Sequence, residues 1–344
     1  MPNELNSYNN REGLSKYKNK KRSVKKSLIT ITVLLTVFAV LLVSGIIITI
    51  SASNDLMSVK KKELANIPSN ILPAFSPTNF RSFDNQTFLS GWFFKTNDPK
   101  STVILVHDIH KNRLQFDDAT ADIVEDMLNE GFNVFLFDQR NSGVSQGETS
   151  GYGYLEWQDV LGAIKHVRDI SVTQNVILYG VGGGCSAILQ AMKKLPAVGE
   201  YDQEFDPEIS SLAFDKSYII GLILDSPAKS SDDYIRPIVR EKYSLGFLLQ
   251  YTVPYAVRIS ATGADNLNLM AEISRLPIPV CILFGDLDNF VEAGTVGQIV
   301  AERERLYSTI TSSVVFPNAG YTDAFEVDSE KYRKEIDNFL KSFF

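Results

Sequence analysis

Histidine and cysteine are both scarce in this 344-residue chain. The only histidines are His107, His110 and His166, so no imidazole base is available in the C-terminal half. The only cysteines are Cys185 and Cys281, and they form no redox motif. A disulfide would be possible in an exported protein, but both flank apolar segments, which favours two buried free thiols. No cofactor or metal ion is expected.

Acidic residues outnumber basic residues outside the N-terminus. The chain has a formal net charge of −7. Residues 1–26 contain eight basic and two acidic residues, a net of +6, which leaves −13 for residues 27–344. Nucleic-acid binding needs a basic footprint, so the acidic remainder argues against that class of function. The polar, basic tail is expected to be disordered.

Residues 28–50, from Leu28 to Ile50, lack any charge. These 23 uncharged and predominantly apolar residues are long enough to cross a bilayer as a helix. The basic tail before them predicts a cytoplasmic N-terminus and a C-terminal part outside the membrane. A cleaved signal peptide is the alternative, since small residues follow at 51–53. We therefore predict the following organisation: a cytoplasmic tail at 1–27, an anchor at 28–50, a polar stalk at 51–78 and an extracytoplasmic domain at 79–344.

Short apolar runs alternate with helical patterns through the rest of the chain. Residues 80–94 suggest an antiparallel hairpin. Further strands are predicted at 102–107, 133–138, 175–180, 218–225, 280–285 and 313–316. Helices are predicted at 113–129, 154–169, 185–195, 293–306 and 330–344. The order predicts an α/β fold with a mostly parallel, doubly wound sheet, interrupted by an acidic loop at 196–217 and a small helical cap at 228–277.

A strand that runs into a glycine-rich turn and then an apolar helix is the pattern of a nucleophile elbow. In the G-x-S-x-G elbow, the central serine is exposed above the sheet on a strained turn. Here Gly180 and Gly184 take the flanking positions, and the centre is Gly182. Glycine has no nucleophilic atom, and it avoids a backbone strain of about 1–3 kcal/mol.

Five more segments follow the order of a known family. They are the strand ending in His107-Asp108, the D-x-R-x-x-G-x-S turn at 138–145, the helix start at 153–159, the G-x-x-D-x-F-V loop at 285–291 and the loop at 317–321. With the elbow, they resemble the α/β-hydrolase superfamily, in particular bacterial membrane-anchored serine hydrolases or peptidases. The resemblance covers residues 79–344 and implies that fold.

The resemblance implies a catalytic triad at Gly182, Asp288 and Tyr321, of which only the acid Asp288 is a usual triad residue. A phenol with a pKa of about 10 is a poor proton acceptor at neutral pH. The resemblance also implies an oxyanion hole formed by the backbone N–H groups of Ile109 and Gly183. Asp108 replaces a glycine beside this hole, where a carboxylate would oppose the developing negative charge.

The sequence allows two interpretations of Asp108. Its side chain either lies in the hole, or the residue simply adopts a left-handed backbone angle, which Asp tolerates. Tyr321 likewise either takes the place of the base or packs under the cap.

Other chemistry is less well supported. Cys185 is a secondary candidate nucleophile, as is Ser186. A nucleophile at either position would require the glycine-rich turn to extend into the helix predicted at 185–195. Gly180-x-Gly182-x-x-Cys185 departs from a dinucleotide fingerprint at its third position and lacks a strand-terminal acid about 20 residues later.

Several polar residues are interpreted as structural. His107 is expected to bond neighbouring loops, His110 to be exposed, and His166 to lie on a polar helix face. Asp138 and Arg140 are expected to form an ion pair. Asp232, Asp233 and the acidic cluster at 200–208 are expected on the solvated surface, without metal-ligand spacing.

Two functions compete. The first is a membrane-anchored, catalytically inactive protein that binds a small-molecule or protein ligand at its pocket or cap. The second is an active esterase or peptidase with an unconventional nucleophile.

Overall fold

A computed structural model describes residues 8–65, 71–199, 207–261, 263–291 and 294–344. The chain divides into two compact units, residues 1–52 and 53–344. The strands are β1 Phe75–Arg81, β2 Phe88–Phe94, β3 Ser101–Val106, β4 Phe132–Asp138, β5 Val176–Val181, β6 Ile219–Asp225, β7 Val280–Gly285 and β8 Thr311–Phe316. The helices are α1 Tyr8–Met57, α2 Thr120–Asn129, α3 Trp157–Ile170, α4 Gly183–Lys194, α5 Pro207–Ser210, α6 Asp232–Lys242, α7 Gly246–Ser260, α8 Leu269–Arg275, α9 Thr295–Tyr307, α10 Ala324–Val327 and α11 Ser329–Phe343.

The eight strands form one sheet in the order β1-β2-β4-β3-β5-β6-β7-β8. The β1–β2 and β2–β4 pairs are antiparallel, and the other pairs are parallel. This confirms the predicted fold class. Strands β3, β4 and β5 are buried along their whole length because helices cover both faces of the sheet.

Two apolar cores flank the sheet. One contains side chains from α3, α4, α8 and α9, and the other contains side chains from α2 and α11. The predicted cap region holds three helices, α6, α7 and α8. The last of these differs from a cap helix, because Leu269 and Ile273 of α8 are buried in the first core.

The N-terminal segments differ from the expectation. Helix α1 begins at Tyr8, within the tail that was expected to be disordered, and it continues to Met57, beyond the apolar run. Strand β1 begins at Phe75, inside the predicted stalk. Helix α2 begins later than predicted, at Thr120, because Arg113 bonds Asp138 through its backbone and Asp117 has a positive φ of 48°.

Candidate functional site

The turn between β5 and α4 has the geometry of an elbow. Gly182 has φ 52° and ψ −121°, and its N–H donates to the Asp225 carbonyl at 2.9 Å. Its φ lies in the left-handed region that favours glycine. Gly184 is required for a different reason, since a Cβ there would lie 2.1 Å from the Val106 carbonyl oxygen. The peptide chain therefore approaches β3 as closely as an elbow requires.

The Asp108 carboxylate occupies the predicted oxyanion hole. Its Oδ1 atom accepts the backbone N–H of Gly183 and that of Ile109, each at 2.7 Å. Donors at 2.7–3.1 Å are what an oxyanion hole presents to its oxyanion. One carboxylate oxygen thus takes the position that a substrate oxyanion would need.

The backbone of Asp108 settles between the two readings of this residue. Asp108 is not among the described residues with positive φ, whereas His110, two positions later, has φ 62°. The left-handed explanation is therefore wrong. Burial raises the pKa of Asp108 to about 6, although the N–H bonds from Gly183 and Ile109 oppose the shift.

Tyr321 completes the contacts of Asp108. Its phenol donates to Asp108 Oδ1 at 3.0 Å, and its ring stacks on Phe290 with centroids 4.4 Å apart. Burial and the neighbouring carboxylate raise the pKa of Tyr321 well above its ordinary value. The phenol therefore stays protonated and donates a hydrogen bond, so it is a poor proton acceptor at neutral pH.

The space for a nucleophile is filled. A Cβ built on Gly182 would lie 2.2 Å from both Asp108 Oδ1 and Tyr321 Oη. A serine side chain cannot enter this position unless both neighbours move. The residues at positions 108, 182 and 321 therefore depend on one another, because the side chains of Asp108 and Tyr321 fit only while residue 182 has no side chain.

Asp288, which the family resemblance implies is the triad acid, lies on the loop after β7. Its Oδ1 accepts the backbone N–H groups of Phe290 and Val291 at 3.0 and 3.2 Å. Its Oδ2 is buried and has no hydrogen-bond partner among the described residues. Burial raises the pKa of this carboxyl. Asp288 is thus held in place by backbone N–H groups, and among the described residues no basic side chain donates a hydrogen bond to it.

Cys185 and Ser186 lie inside the core. The Cys185 thiol is fully buried, 3.3 Å from the carbonyls of Gly180 and Asp225, and burial raises its pKa well above the ordinary value. A reactive cysteine needs a lowered pKa and access to solvent. Ser186 is also fully buried and shares a short hydrogen bond with Ser231. Neither side chain is placed as a nucleophile. Cys281 is the second buried free thiol.

A buried polar group that the sequence interpretation missed lies beneath the elbow. Asp225, at the end of β6, accepts from Tyr332 Oη at 2.8 Å, and Tyr332 Oη lies 2.6 Å from Tyr179 Oη. Burial raises the pKa of Asp225 to about 7. Its place at the carboxyl end of a buried strand was the signal that could have identified it.

The ion pairs of the loop after β4 differ from the prediction. Asp138 pairs with Arg113 at 2.8 Å, and both side chains are buried. Arg140 instead pairs with Asp159 of α3 at 2.8 Å and with Asp84 at 3.1 Å. The chain turns sharply after Asp138, which sends the side chain of Arg140 toward the hairpin and α3. The expected Asp138–Arg140 pair is therefore wrong.

The histidines have structural contacts. His107 is buried, and its Nε2 atom accepts the backbone N–H of Gln139. Its Nδ1 atom lies 2.8 Å from the carbonyl oxygen of Asp108, so the ring bonds neighbouring loops as predicted. His166 is half-buried on α3, 2.7 Å from Thr78 Oγ1. His110 is half-buried beside Tyr152, 3.3 Å from its hydroxyl, and is not an exposed loop residue.

The acidic residues at 232 and 233 are buried, in contrast to the expected solvated surface. Asp232 accepts from Tyr154 Oη at 2.7 Å and Asn266 Nδ2 at 3.2 Å. Asp233 pairs with Arg236 at 2.6 Å. The cluster at 200–208 lies mostly outside the described residues. Within the described ranges, no group of three or more His, Cys, Asp or Glu side chains is placed to hold a metal ion.

Residues 58–65, assigned to a stalk, lie against the loops that follow β3 and β4. Asn112 donates to the Glu63 carbonyl at 3.0 Å, Asn141 donates to the Val59 carbonyl at 3.1 Å, and Lys61 donates to the Ser145 carbonyl at 2.6 Å. These loops also carry Asp108 and the ion pairs. The segment after α1 thus packs on the part of the domain that contains Asp108.

Comparison with known proteins agrees with this fold. No family model matches the chain. Over 263 residues, it is 26% identical to the uncharacterized protein YfhR of Escherichia coli O157:H7, which covers 74% of this chain and 77% of that protein. The esterase Pf2001 of Pyrococcus furiosus has a TM-score of 0.61 at 19% identity, covering 84% of this chain and 98% of that one. The alpha/beta hydrolase GrgF of Penicillium sp. sh18 has a TM-score of 0.55 at 16% identity, covering 78% and 99%. At these identities, the likeness to the solved structures is one of fold.

Proposed function

We propose that this chain, which has the fold of the α/β-hydrolase superfamily, is a membrane-anchored protein without hydrolase activity that acts by binding a ligand or partner. One observation carries the proposal: Asp108 Oδ1 accepts both N–H groups of the oxyanion hole. A substrate carbonyl cannot use donors that a resident carboxylate already occupies.

The remaining parts of the site support the same proposal. Acyl transfer needs a nucleophile with a base in hydrogen-bond reach and an acid that orients the base. Gly182 has no nucleophilic atom, the Tyr321 hydroxyl donates a hydrogen bond to Asp108, and only Asp288 remains. The sequence has no histidine after residue 166 that a rearranged loop could supply.

The competing function is an esterase, the activity named for one of the structural neighbours. It would need Cys185 or a water molecule as nucleophile. Cys185 is buried among carbonyl groups with a raised pKa, which argues against a thiolate. The inactive alternative is therefore the better supported of the two.

A groove beside Asp108 is the place where we propose that a ligand binds. It has a volume of about 380 Å³ and lies between the loop after β3 and the segment after β8. Lys111 and Gln115 line one side, and Thr322 and Asp323 line the other. Gln115 joins the groove to the filled oxyanion hole, since its Oε1 accepts the Asp108 N–H at 2.7 Å. The groove is polar, which suits a small polar ligand.

The anchor part of the proposal rests on α1. Residues Val24–Met57 form a helix that is long and apolar enough to cross a membrane, with a mean hydropathy of 2.9 in its most apolar window. Its apolar side chains between residues 28 and 50 are mostly exposed, so the protein itself does not cover them. With the basic residues before it, this favours an uncleaved anchor with the N-terminus in the cytoplasm.

Two measurements test the proposal on the full chain. The purified protein in detergent is exposed to a fluorophosphonate probe and to a panel of activated esters, with an active esterase as positive control. We expect no labelling and no turnover. Turnover that Cys185→Ala abolishes would establish the esterase alternative. Resistance to alkaline carbonate extraction from membranes tests the anchor separately, and release into the supernatant would contradict it.

A further inference from the structure

Helix α7 is apolar on all its sides. Its sequence, GFLLQYTVPYAVRIS, contains one charged residue, Arg258, in 15 positions. A surface helix of a soluble protein normally pairs an apolar stripe with a polar one, and a helix that is apolar all round is normally covered all round. The composition of α7 thus predicts two covered faces.

Within the part of the chain that the structure describes, only one face of α7 is covered by the protein. Leu249, Val253, Pro254 and Val257 are buried toward the body. The other face is exposed, and five large apolar side chains lie on it: Phe247 60%, Leu248 55%, Tyr251 72%, Tyr255 59% and Ile259 59%. At about 100° per residue, these five positions fall within a sector of about 120°. We call them the exposed α7 face.

The start of α7 is linked to the apolar run of α1 by a short length of chain. Asp55, in the last turn of α1, accepts from Tyr243 Oη at 2.6 Å and pairs with Lys242 at 2.9 Å. Lys242 is the last residue of α6, and Tyr243 lies three positions before the start of α7. Asp55 follows the last residue of the apolar run, Ile50, by five positions, a length of chain that spans at most about 18 Å. If residues 28–50 cross a bilayer, the start of α7 is tethered near its surface.

The residue types on this face also suit a membrane interface. Tyrosine is enriched where the bilayer meets water, because its ring is apolar and its hydroxyl is polar. Helices that lie in this interface bury Phe and Leu side chains on one face to a depth of about 5–10 Å. Arg258, the one charged residue of α7, lies over the ring of Tyr255, 5.3 Å from its centroid, and its Nε atom is 3.7 Å from Asp232 Oδ1, so its charge is partly neutralised within the protein.

We propose that the exposed α7 face docks on the lipid bilayer that the N-terminal segment spans, with Phe247, Leu248 and Tyr251 in the acyl–headgroup boundary. The inference rests on the membrane anchor of the proposed function. The bilayer is favoured over a protein partner because the tether holds this face near the membrane in every copy.

Site-specific labelling of the full chain tests the proposal. Tyr251→Cys and Tyr255→Cys each introduce one surface thiol for an environment-sensitive fluorophore, since native Cys185 and Cys281 are buried. Val172→Cys is the matched control, because Val172 is 76% exposed in the turn before the amino end of β5. The labelled proteins are reconstituted in phosphatidylcholine–phosphatidylglycerol vesicles with and without a nitroxide lipid labelled near the headgroup.

We expect blue-shifted emission and at least threefold stronger nitroxide quenching at positions 251 and 255 than at 172. Equal quenching at all three positions in protein that floats with the vesicles would overturn docking and leave the anchor intact. Failure of the chain to float with vesicles would instead contradict the proposed anchor. A blue shift that depends on the protein-to-lipid ratio, without nitroxide quenching, would assign the exposed α7 face to self-association and overturn the proposal.

Discussion

The Oδ1 atom of Asp108 lies 2.7 Å from the backbone nitrogen of Gly183. In a serine hydrolase of this fold, that nitrogen faces the substrate oxygen. The same carboxylate oxygen accepts from Tyr321, and the two side chains fill the space that a residue with a Cβ would need at position 182. The departures from the family pattern are thus coupled through one small volume, and each constrains how the others can be reversed.

Restoring hydrolysis should require three substitutions. Gly182→Ser with Tyr321→His supplies a nucleophile and a base, but the serine Cβ would still lie 2.2 Å from Asp108 Oδ1. Adding Asp108→Gly removes this clash and frees both oxyanion donors, and the loss of one such donor alone costs about 10²–10³ in rate. We expect the triple variant to exceed the double variant by at least about 10²-fold in activated-ester turnover.

The control for this series is Asp108→Gly with Gly182→Ala and Tyr321→His, which lacks only the hydroxyl. It should show no fluorophosphonate labelling. Equal activity of the double and triple variants would show that Asp108 does not obstruct the hole.

A methyl group at position 182 should destabilise the fold. Gly182 has a positive φ, and its Cβ would meet the side chains of Asp108 and Tyr321. We expect Gly182→Ala to lower the free energy of unfolding by about 2–4 kcal/mol, from overpacking and backbone strain. Gly297→Ala, in α9, is the matched control because a Cβ added at this position would have no other atom within 4 Å. It should be neutral or stabilising by up to about 1 kcal/mol, and thermal unfolding followed by tryptophan fluorescence measures both.

The pH dependence of stability should report the buried carboxyl of Asp108. Its pKa is raised to about 6 from the ordinary value of 3.8 because the side chain is buried. The folded state therefore holds this proton more tightly, so its contribution to stability is complete below about pH 4 and is lost as pH rises to about 6. Asp108→Asn cannot ionise, and its amide oxygen can accept the same hydrogen bonds.

We expect the stability of Asp108→Asn relative to the native chain to increase by about 1–3 kcal/mol between pH 4 and pH 8. Urea unfolding of both proteins at the two pH values measures this difference. A relative stability that stays constant across this range would show that the carboxyl titrates as it does in the unfolded chain.

The buried Arg113–Asp138 pair should be essential for stability. Arg113→Met leaves Asp138 ionised and buried without its partner, a change that costs about 3–5 kcal/mol. Arg305→Met removes one member of an exposed pair with Glu302, and it should leave the melting temperature unchanged. Asp138→Asn added to Arg113→Met should recover part of the loss, because it removes the unpaired charge. Equal melting temperatures for the two single variants would contradict the assigned pairing.

The sequence was sufficient for those features that depend on local pattern. The alternation of apolar strands and amphipathic helices predicted the doubly wound sheet, since strands buried on both faces need apolar residues throughout, as in β3 and β5. The lack of a nucleophile at Gly182 and of a histidine after residue 166 could also be predicted, because the sequence alone shows which side chains are missing. The role of His107 followed from its place at the end of a strand.

Only the tertiary structure decided which side chains meet across the loops. Asp138 pairs with Arg113 and not with Arg140 because the turn directs neighbouring side chains to different elements, which residue spacing does not reveal. Asp232 is buried because Tyr154 and Asn266, far away in the chain, supply its hydrogen bonds. The position of Asp108 in the predicted oxyanion hole depends on the loops after β3, β5 and β8, which meet beyond the carboxyl ends of these strands. Charge and chain order predict that a carboxylate is nearby, but three-dimensional packing alone determines where its oxygen lies.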